Sequence, residues 1–379
     1  MSKSINRYEV AMKVNFLDLK AQYHSIREEI NQAIQQVLDS SAFAAGPFVK
    51  SFEEHFAEKH QADYCVGVSS GTAALHAALM ALDVGPGDQV IVPANTFFAT
   101  PEAVSLAGAT QVFVDCDPDY YNLNPDLIEA AITSKTKGII AVHLYGQPAQ
   151  LSAIKAVADR HNLFLMEDCA QAHTSTLNGT PVGTTGVCGC FSFYPGKNLG
   201  AYGEGGAVIT NDEALYQKMM MIRDHGMAKK YHHDLIGHNY RLEGMQGAIL
   251  DVKLQYIDEW TDARRRSAEL YRTYLSESQD IVLPAEMPDA KHVYHLFVIR
   301  TKKRDELQAY LKDHEIYTGI HYPIPCHLQA AYHDLGYSQG DFRVTDEYAP
   351  QLLSLPMSEQ LKEDEIAYVA ETIKSFFNK

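Results

Sequence analysis

From Asp63 onward, five short apolar runs, YCVGV, QVIVP, QVFVD, GIIAVH and LFLME, recur with helical stretches such as 72–82 and 149–160 between them. Runs that stay apolar instead of alternating with polar residues read as strands covered on both faces. Strand, helix and strand at this spacing is what parallel βαβ units require. The predicted fold class is α/β: a large domain with a mostly parallel sheet flanked by helices. Ligands of such a sheet sit at the carboxyl ends of its strands.

Later segments extend the pattern. The strand AVIT after Gly206 and a helix over 212–223 continue the alternation, and the polar segment GHNYRL precedes a helix over 243–254. Beyond it, the strand YHLFVIR, a helix over 304–314, the proline-rich TGIHYPIPCHLQ and helices from Asp341 describe a smaller α+β domain. The expected division is 14–255 for the large domain and 256–379 for the small one, with Trp260, the single tryptophan, near the handover as a core residue. Ahead of the sheet, Ile26, Ile30, Ala33, Ile34 and Val37 fall near a 3.6 period and predict one amphipathic helix over 19–38.

Charge and cysteine usage narrow the function. The 48 acidic residues outnumber the 32 basic ones, giving −16, and no Lys/Arg block interrupts that balance. Nucleic acid and anionic membrane surfaces are poor partners for such a chain, so an anionic ligand has to be met locally. The N-terminal MSKSINRYEVAMKVNF carries charges throughout, and no segment reaches the roughly 18 apolar residues of a membrane span. A soluble, cytoplasmic protein is expected. The cysteines Cys65, Cys116, Cys169, Cys188, Cys190 and Cys326 lack paired CxxC spacing and suit a reducing compartment as small buried hydrophobes; no metal site is expected.

Chemistry concentrates in Cys188–Gly206, CGCFSFYPGKNLGAYGEGG, where a short buried strand gives way to a Gly-rich, Pro-broken loop carrying Lys197. A lone lysine between glycines is ordinarily a surface charge. Here Ser192 lies five residues earlier, Tyr194 stands between, and Asp168 closes the apolar strand LFLMED. A buried carboxylate at a strand end needs a partner, whether a salt bridge, a helix N-cap or a cationic ligand. Gly71-Thr72 opens a helix after the first strand and offers backbone N–H groups, a hydroxyl and a positive dipole end, which suit a phosphate or simply make an N-cap. Phe97 and Phe98 follow a strand ending in Pro93, as a hydrophobic staple or a core contact. His321, Tyr322 and His327 lie among prolines, without the carboxylate spacing of a metal site.

The run SFYPGKNLGAYGEGG, with EDCAQ upstream and GHNYRLEGMQGA downstream, resembles the DegT/StrS family of sugar aminotransferases, which use pyridoxal 5′-phosphate; the resemblance runs from about Val14 to nearly the C-terminus. It implies a fold type I aminotransferase-like large domain. It also implies that Lys197 is the amine that joins the cofactor aldehyde and, once freed, shuttles a proton. Asp168 would pair with the protonated pyridine nitrogen and keep the ring an electron sink. Gly71, Thr72 and Ser192 would hold the phosphate, Phe97 would stack on one ring face with Ala170 against the other, and Gln171 would touch the ring hydroxyl. Asn239 would reach across an interface to the neighbouring subunit's phosphate, which implies a homodimer with shared active sites. His321 would lie beside the sugar, with Tyr194 and His327 as further substrate contacts. Family members often have glycine where this chain has Thr174, and methionine where it has Leu242. Related dehydratases have His where this chain has Lys197, so amino transfer is favoured.

The expected function is transfer of an amino group from an amino acid, glutamate as in the family, to a keto group on a nucleotide-linked sugar. The motifs look most like members that aminate C-3 of a dTDP-3-keto-6-deoxyhexose. The alternatives are a UDP-linked 3-keto sugar, a 4-keto sugar, a non-catalytic pyridoxal-phosphate-binding regulator, or a nucleotide-binding α/β protein with no cofactor.

Overall fold

The computed structural model describes residues 12–378. Most of the charged N-terminal stretch, residues 1–11, and the terminal Lys379 lie outside the described residues. Seven strands form one sheet: β1 (Tyr64–Val68), β2 (Gln89–Pro93), β3 (Thr110–Val114), β4 (Thr136–Val142), β5 (Phe164–Asp168), β6 (Cys188–Ser192) and β7 (Gly206–Thr210). Their order is β1-β7-β6-β5-β4-β2-β3. The five strands from β6 to β3 run parallel. The AVIT strand, β7, is antiparallel to both of its neighbours. Two reversals restore the direction, so β1 points the same way as β6. Val68 at the end of β1 and Ser192 at the end of β6 both pair with Gly206, and Asp168 at the end of β5 pairs with Cys190. This register brings three strand ends from distant parts of the sequence to one edge.

Successive strand residues enter different cores. Val66, Val68, Val90, Val92, Ile140, Met166 and Val208 join helix Gly71–Ala81 and the helices Ala99–Leu106 and Glu213–Ile222. Phe191, Ala207 and Ile209 face Phe52, Phe56, Leu250 and Leu254 on helices Pro47–Lys59 and Gly244–Leu254. Burial on both faces is the reason these strands read as unbroken apolar runs. Helix Gly71–Ala81 is itself buried on almost every side, which fits its run of alanines and leucines.

Two departures from expectation concern the periphery. The helix predicted over 19–38 is two helices, Leu19–Ser25 and Arg27–Ser40, broken at Ile26, whose φ of −128° lies outside helical values. Ile26 and Ile30 pack with Ile249 and Trp260, while the first helix turns so that Gln22 reaches Glu359. A second core gathers Val14, Tyr271, Leu307 and Val369 around the antiparallel pair β8 (Phe297–Arg300) and β9 (Leu352–Leu355). Cys326, Tyr332 and Phe342 instead return to the first core beside Phe113. Their apolar side chains cover that end of the sheet, so the chain beyond residue 256 serves both cores.

Candidate active site

The loop after β6 closes on itself. Phe193 N–H donates to Gly205 O, Ala201 N–H to Phe193 O and Lys197 N–H to Tyr194 O, at 2.7, 2.7 and 2.8 Å. A Cβ on Gly200 would lie 2.3 Å from Pro195 O, so this close approach admits only glycine. Lys197 is partly buried at the crown of this loop. Loss of solvation pulls its ammonium down to about 8, against which the charge of Asp168 pulls it up. A fraction of the amine is therefore free near neutrality, as a nucleophile or base requires.

Asp168 is buried at the end of β5. Its Oδ2 accepts from Thr100 Oγ1 at 2.8 Å and its Oδ1 from Ala170 N–H at 3.1 Å. Burial raises its pKa; the Thr100 and Ala170 bonds and the Lys197 charge oppose that rise. A carboxylate offers about four acceptor sites, so capacity for a cationic partner remains.

Gly71 and Ser192 meet. A Cβ on Gly71 would fall 2.6 Å from the Cβ of Ser192, so a side chain at 71 would close the space between the helix start and the strand end. The N-cap of that helix is Ser70, whose Oγ accepts from Ala73 N–H, and Thr72 is thereby left for another partner. The first N–H groups of Gly71–Ala81, the Thr72 hydroxyl and Ser192 thus share one edge, an arrangement that suits an anion.

Around this edge, Phe97 is half exposed and its ring lies 5.4 Å from that of Tyr322. Gln171 is buried, with Oε1 accepting from Tyr145 N–H at 2.6 Å and Nε2 donating to Tyr322 Oη at 3.0 Å. Tyr145 Oη donates to His321 O at 2.5 Å, so the Pro-rich segment is pinned to the sheet edge. His321 Nδ1 lies 2.8 Å from Ser354 Oγ, and burial together with the Lys197 charge pulls its imidazole down to about 4. Tyr194 is exposed.

Two sequence-predicted residues stand apart. His327 is buried, its ring 4.6 Å from Phe342 and its Nε2 3.1 Å from Asp346. The segment that carries it folds back onto Phe113, whose ring centre lies 6.4 Å from that of His327. Asn239 is exposed, and its backbone bridges Asp224.

Sequence reasoning missed several neighbours of Lys197 and Asp168: Thr100, Tyr145, Asn198, His295 and, beyond the notice given to its place among prolines, Tyr322. Asn198 Nδ2 donates to Val293 O at 3.0 Å and its Oδ1 lies 3.1 Å from His295 Nδ1. His173 is buried against the rings of Phe191 and Phe193. Thr174, where glycine is common, has φ +61°. His143, Glu167 and Cys169 bring potential ligand atoms within 4.8 Å of one another. His143 Nδ1 already accepts from Ala149 N–H, and Glu167 accepts from Gly183, Thr185 and Gly186 N–H, so the pair is a buried hydrogen-bonded knot with its lone pairs committed.

An amine of depressed pKa, a buried acid, an anion cradle and an exposed aromatic face fit pyridoxal 5′-phosphate, and together they define a fold type I aminotransferase. The chain belongs to the DegT/DnrJ/EryC1/StrS aminotransferase family, whose pattern matches residues 24–374; the cofactor of this family is pyridoxal phosphate. Over 368 residues, 97% of this chain and 99% of the other, it is 46% identical to a protein of Geobacillus stearothermophilus named pleiotropic regulatory protein. It is 43% identical to the dTDP-3-amino-3,4,6-trideoxy-alpha-D-glucose transaminase of Streptomyces venezuelae, covering 96% of each chain. The crystal structure of S. venezuelae DesV in complex with a ketimine intermediate superposes with a TM-score of 0.95 at 42% identity, covering 97% of this chain and 99% of that one. The protein is an aminotransferase.

Proposed function

We propose that this enzyme transfers an amino group from an amino acid, glutamate in the first instance, to the C-3 keto group of a nucleotide-linked sugar, with a dTDP-3-keto-6-deoxyhexose as the acceptor. In this reading Lys197 and Asp168 are the catalytic pair. Gly71, Thr72 and Ser192 hold the cofactor phosphate, Phe97, Ala170 and Gln171 hold its ring, and Asn239 completes the site of a partner subunit in a homodimer. Tyr194 and His321 face the sugar. When bound, pyridoxal phosphate supplies the electron sink for breaking a C–H bond beside nitrogen. The protein supplies the rest: Asp168 orients and keeps charged the group it faces, the Phe97 face excludes water, and Lys197 holds and returns the proton.

The observation that carries this reading is the meeting of a Lys197 of lowered pKa, a buried Asp168 and the Gly71–Ser192 cradle at one sheet edge. The choice of an uncharged sugar ring rests on the cations near it. Among the described residues, Arg264 is buried against Glu359 and Lys253 is buried against Gln22 and Gly200. The His295 and His321 imidazoles are held neutral. None of these four groups would offer a uronate carboxylate a free charged partner. Six buried free cysteines and an acidic surface fit a cytoplasmic enzyme.

The test is to convert the bound cofactor to its aminated form with glutamate and offer 3-keto and 4-keto sugars on thymidine and uridine diphosphates. Return of the original absorbance with the dTDP 3-keto-6-deoxy sugar is expected; return only with 4-keto or only with UDP sugars would refute the acceptor. Failure of every keto sugar would refute a nucleotide-linked keto sugar as the acceptor.

A further inference from the structure

Lys253, on helix Gly244–Leu254, has 1% of its surface exposed, yet among the described residues no carboxylate touches its ammonium. Nζ donates to Gly200 O at 2.6 Å and to Gln22 Oε1 at 2.8 Å, and lies 4.2 Å from the centre of the Tyr202 ring. Burying an ammonium against two neutral oxygens and an aromatic face is costly, and methionine or leucine would fill the same space without that cost. We propose that Lys253 is a positioning residue, whose ammonium fixes the Lys197 loop by holding the carbonyl three residues beyond Lys197.

The geometry of the loop gives this contact its leverage. Gly200 backs directly onto Pro195 O, so the segment 195–200 is a short arc whose ends are in contact and whose crown is Lys197. At the crown, Asn198 is tied to Val293 O and His295 Nδ1. At the far end, Gly200 O is tied to Lys253 and Tyr202 N–H donates to Gln246 Oε1 at 2.9 Å. The two ties converge behind the site. Gln22, the second acceptor of Lys253, donates to Glu359 Oε1 at 2.5 Å, and Glu359 Oε2 accepts from Arg264 at 3.0 Å. Arg264 Nη1 in turn donates to the carbonyls of Tyr294, His295 and Met357. The Lys197 arc is thus suspended between Lys253 on one side and the segment of Val293 and His295 on the other, with Gln22 and Glu359 joining the supports. Burial also pulls the Lys253 ammonium down to about 8, as expected of a cation whose nearest carboxylate is one residue removed. A misplacement of about 1 Å in a reacting group costs about a hundredfold in rate, so a tie to the backbone that carries Lys197 acts on turnover without touching substrate.

The inference rests on Lys197 being the reacting amine. Lys253→Met keeps the volume and removes the donors. In the cofactor-loaded enzyme it is expected to lower kcat about ten- to a hundredfold with KM for the sugar unchanged, and to speed hydrogen exchange of the amides over 197–203 relative to those of helix Gly244–Leu254. Lys253→Arg, which keeps a cation and its donors, should recover most of kcat. Unchanged exchange over 197–203 with unchanged kcat overturns the proposal, as does loosening spread evenly over the helix and the loop, which marks a purely structural lysine. Should Lys253→Met not fold, the Nζ protons of Lys253 in the native enzyme provide the test by lysine-selective NMR. Slow exchange with solvent is expected, and free exchange overturns the tie. Failure of the Lys197 reading is recognised separately, by borohydride fixing the cofactor on another lysine while these readouts stand.

Discussion

Replacing Thr100 by valine tests how Asp168 is kept ready. Thr100 Oγ1 donates 2.8 Å to Asp168 Oδ2 and lies 3.0 Å from Thr96 Oγ1 in a fully buried position, so valine preserves the shape and deletes only the hydroxyl. Of the influences opposing the burial-driven rise of the Asp168 pKa, this bond is the largest. Its loss lets the carboxyl protonate at higher pH. A hydrogen bond to a charged group contributes about 1.5–3 kcal/mol, and that part of the carboxylate's stabilisation is lost before a cationic ring nitrogen can be received. The dissociation constant for pyridoxal phosphate should rise about ten- to a hundredfold near neutral pH. Because the carboxylate is the working form, activity is lost as pH falls, and the acid limb of kcat should begin at higher pH than in the wild type. Thr96 loses its partner as well, so melting temperature should fall; the cofactor titration by absorbance and the pH profile separate the two effects. A lower melting temperature with cofactor affinity within twofold and an unmoved acid limb would refute the reasoning.

Other outcomes follow from the same geometry. Lys197→Ala should abolish turnover with the fold intact, and borohydride reduction followed by peptide mapping should mark Lys197 in the wild type. Without cofactor, the amine should react with alkylating reagents with a pH midpoint of about 8, and Asp168→Asn should move that midpoint lower, since the Asp168 charge raises it. Mixing Lys197→Ala chains with Asn239→Ala chains should restore part of the activity, because one site of each mixed dimer loses neither residue; a fully active monomer in sedimentation would exclude shared sites.

The sheet was legible because burial on both faces leaves a compositional mark, the unbroken apolar run, that depends on neither strand direction nor partner. For that reason the reversal of β7 was not legible: Val208 and Ile209 are buried whichever way the strand runs. The broken helix at Ile26 escaped because its apolar period continues across the break, and the break answers a contact with Glu359 far along the chain. Thr174 carried a clue that residue type alone could not complete. Its φ of +61° explains why glycine is common at that position, and its Oγ1, 3.3 Å from Thr261 Oγ1, gives the hydroxyl a place to go.

At the site, the residues that could be read were those adjoining a strand end in a distinctive string, namely Gly71, Asp168, Ser192 and Lys197. Thr100, His295 and Lys253 could not, since each belongs to a common residue type whose role is conferred by contacts 68, 97 and 53 residues away in sequence. His327 shows the converse difficulty, because a histidine in a proline-rich loop reads the same in sequence whether or not rings such as Phe113 and Phe342 lie against it. The histidines that do surround Lys197 shape the chemistry by remaining uncharged. Burial is the first cause that lowers His173, His295 and His321, and the Lys197 charge lowers each of them further. Were they cationic at neutral pH, they would repel the Lys197 ammonium and compete for Asp168, whose own charge has to serve the ring nitrogen. With them neutral, the balance at Lys197 reduces to burial against a single carboxylate, which is the balance that leaves its amine half free near pH 8.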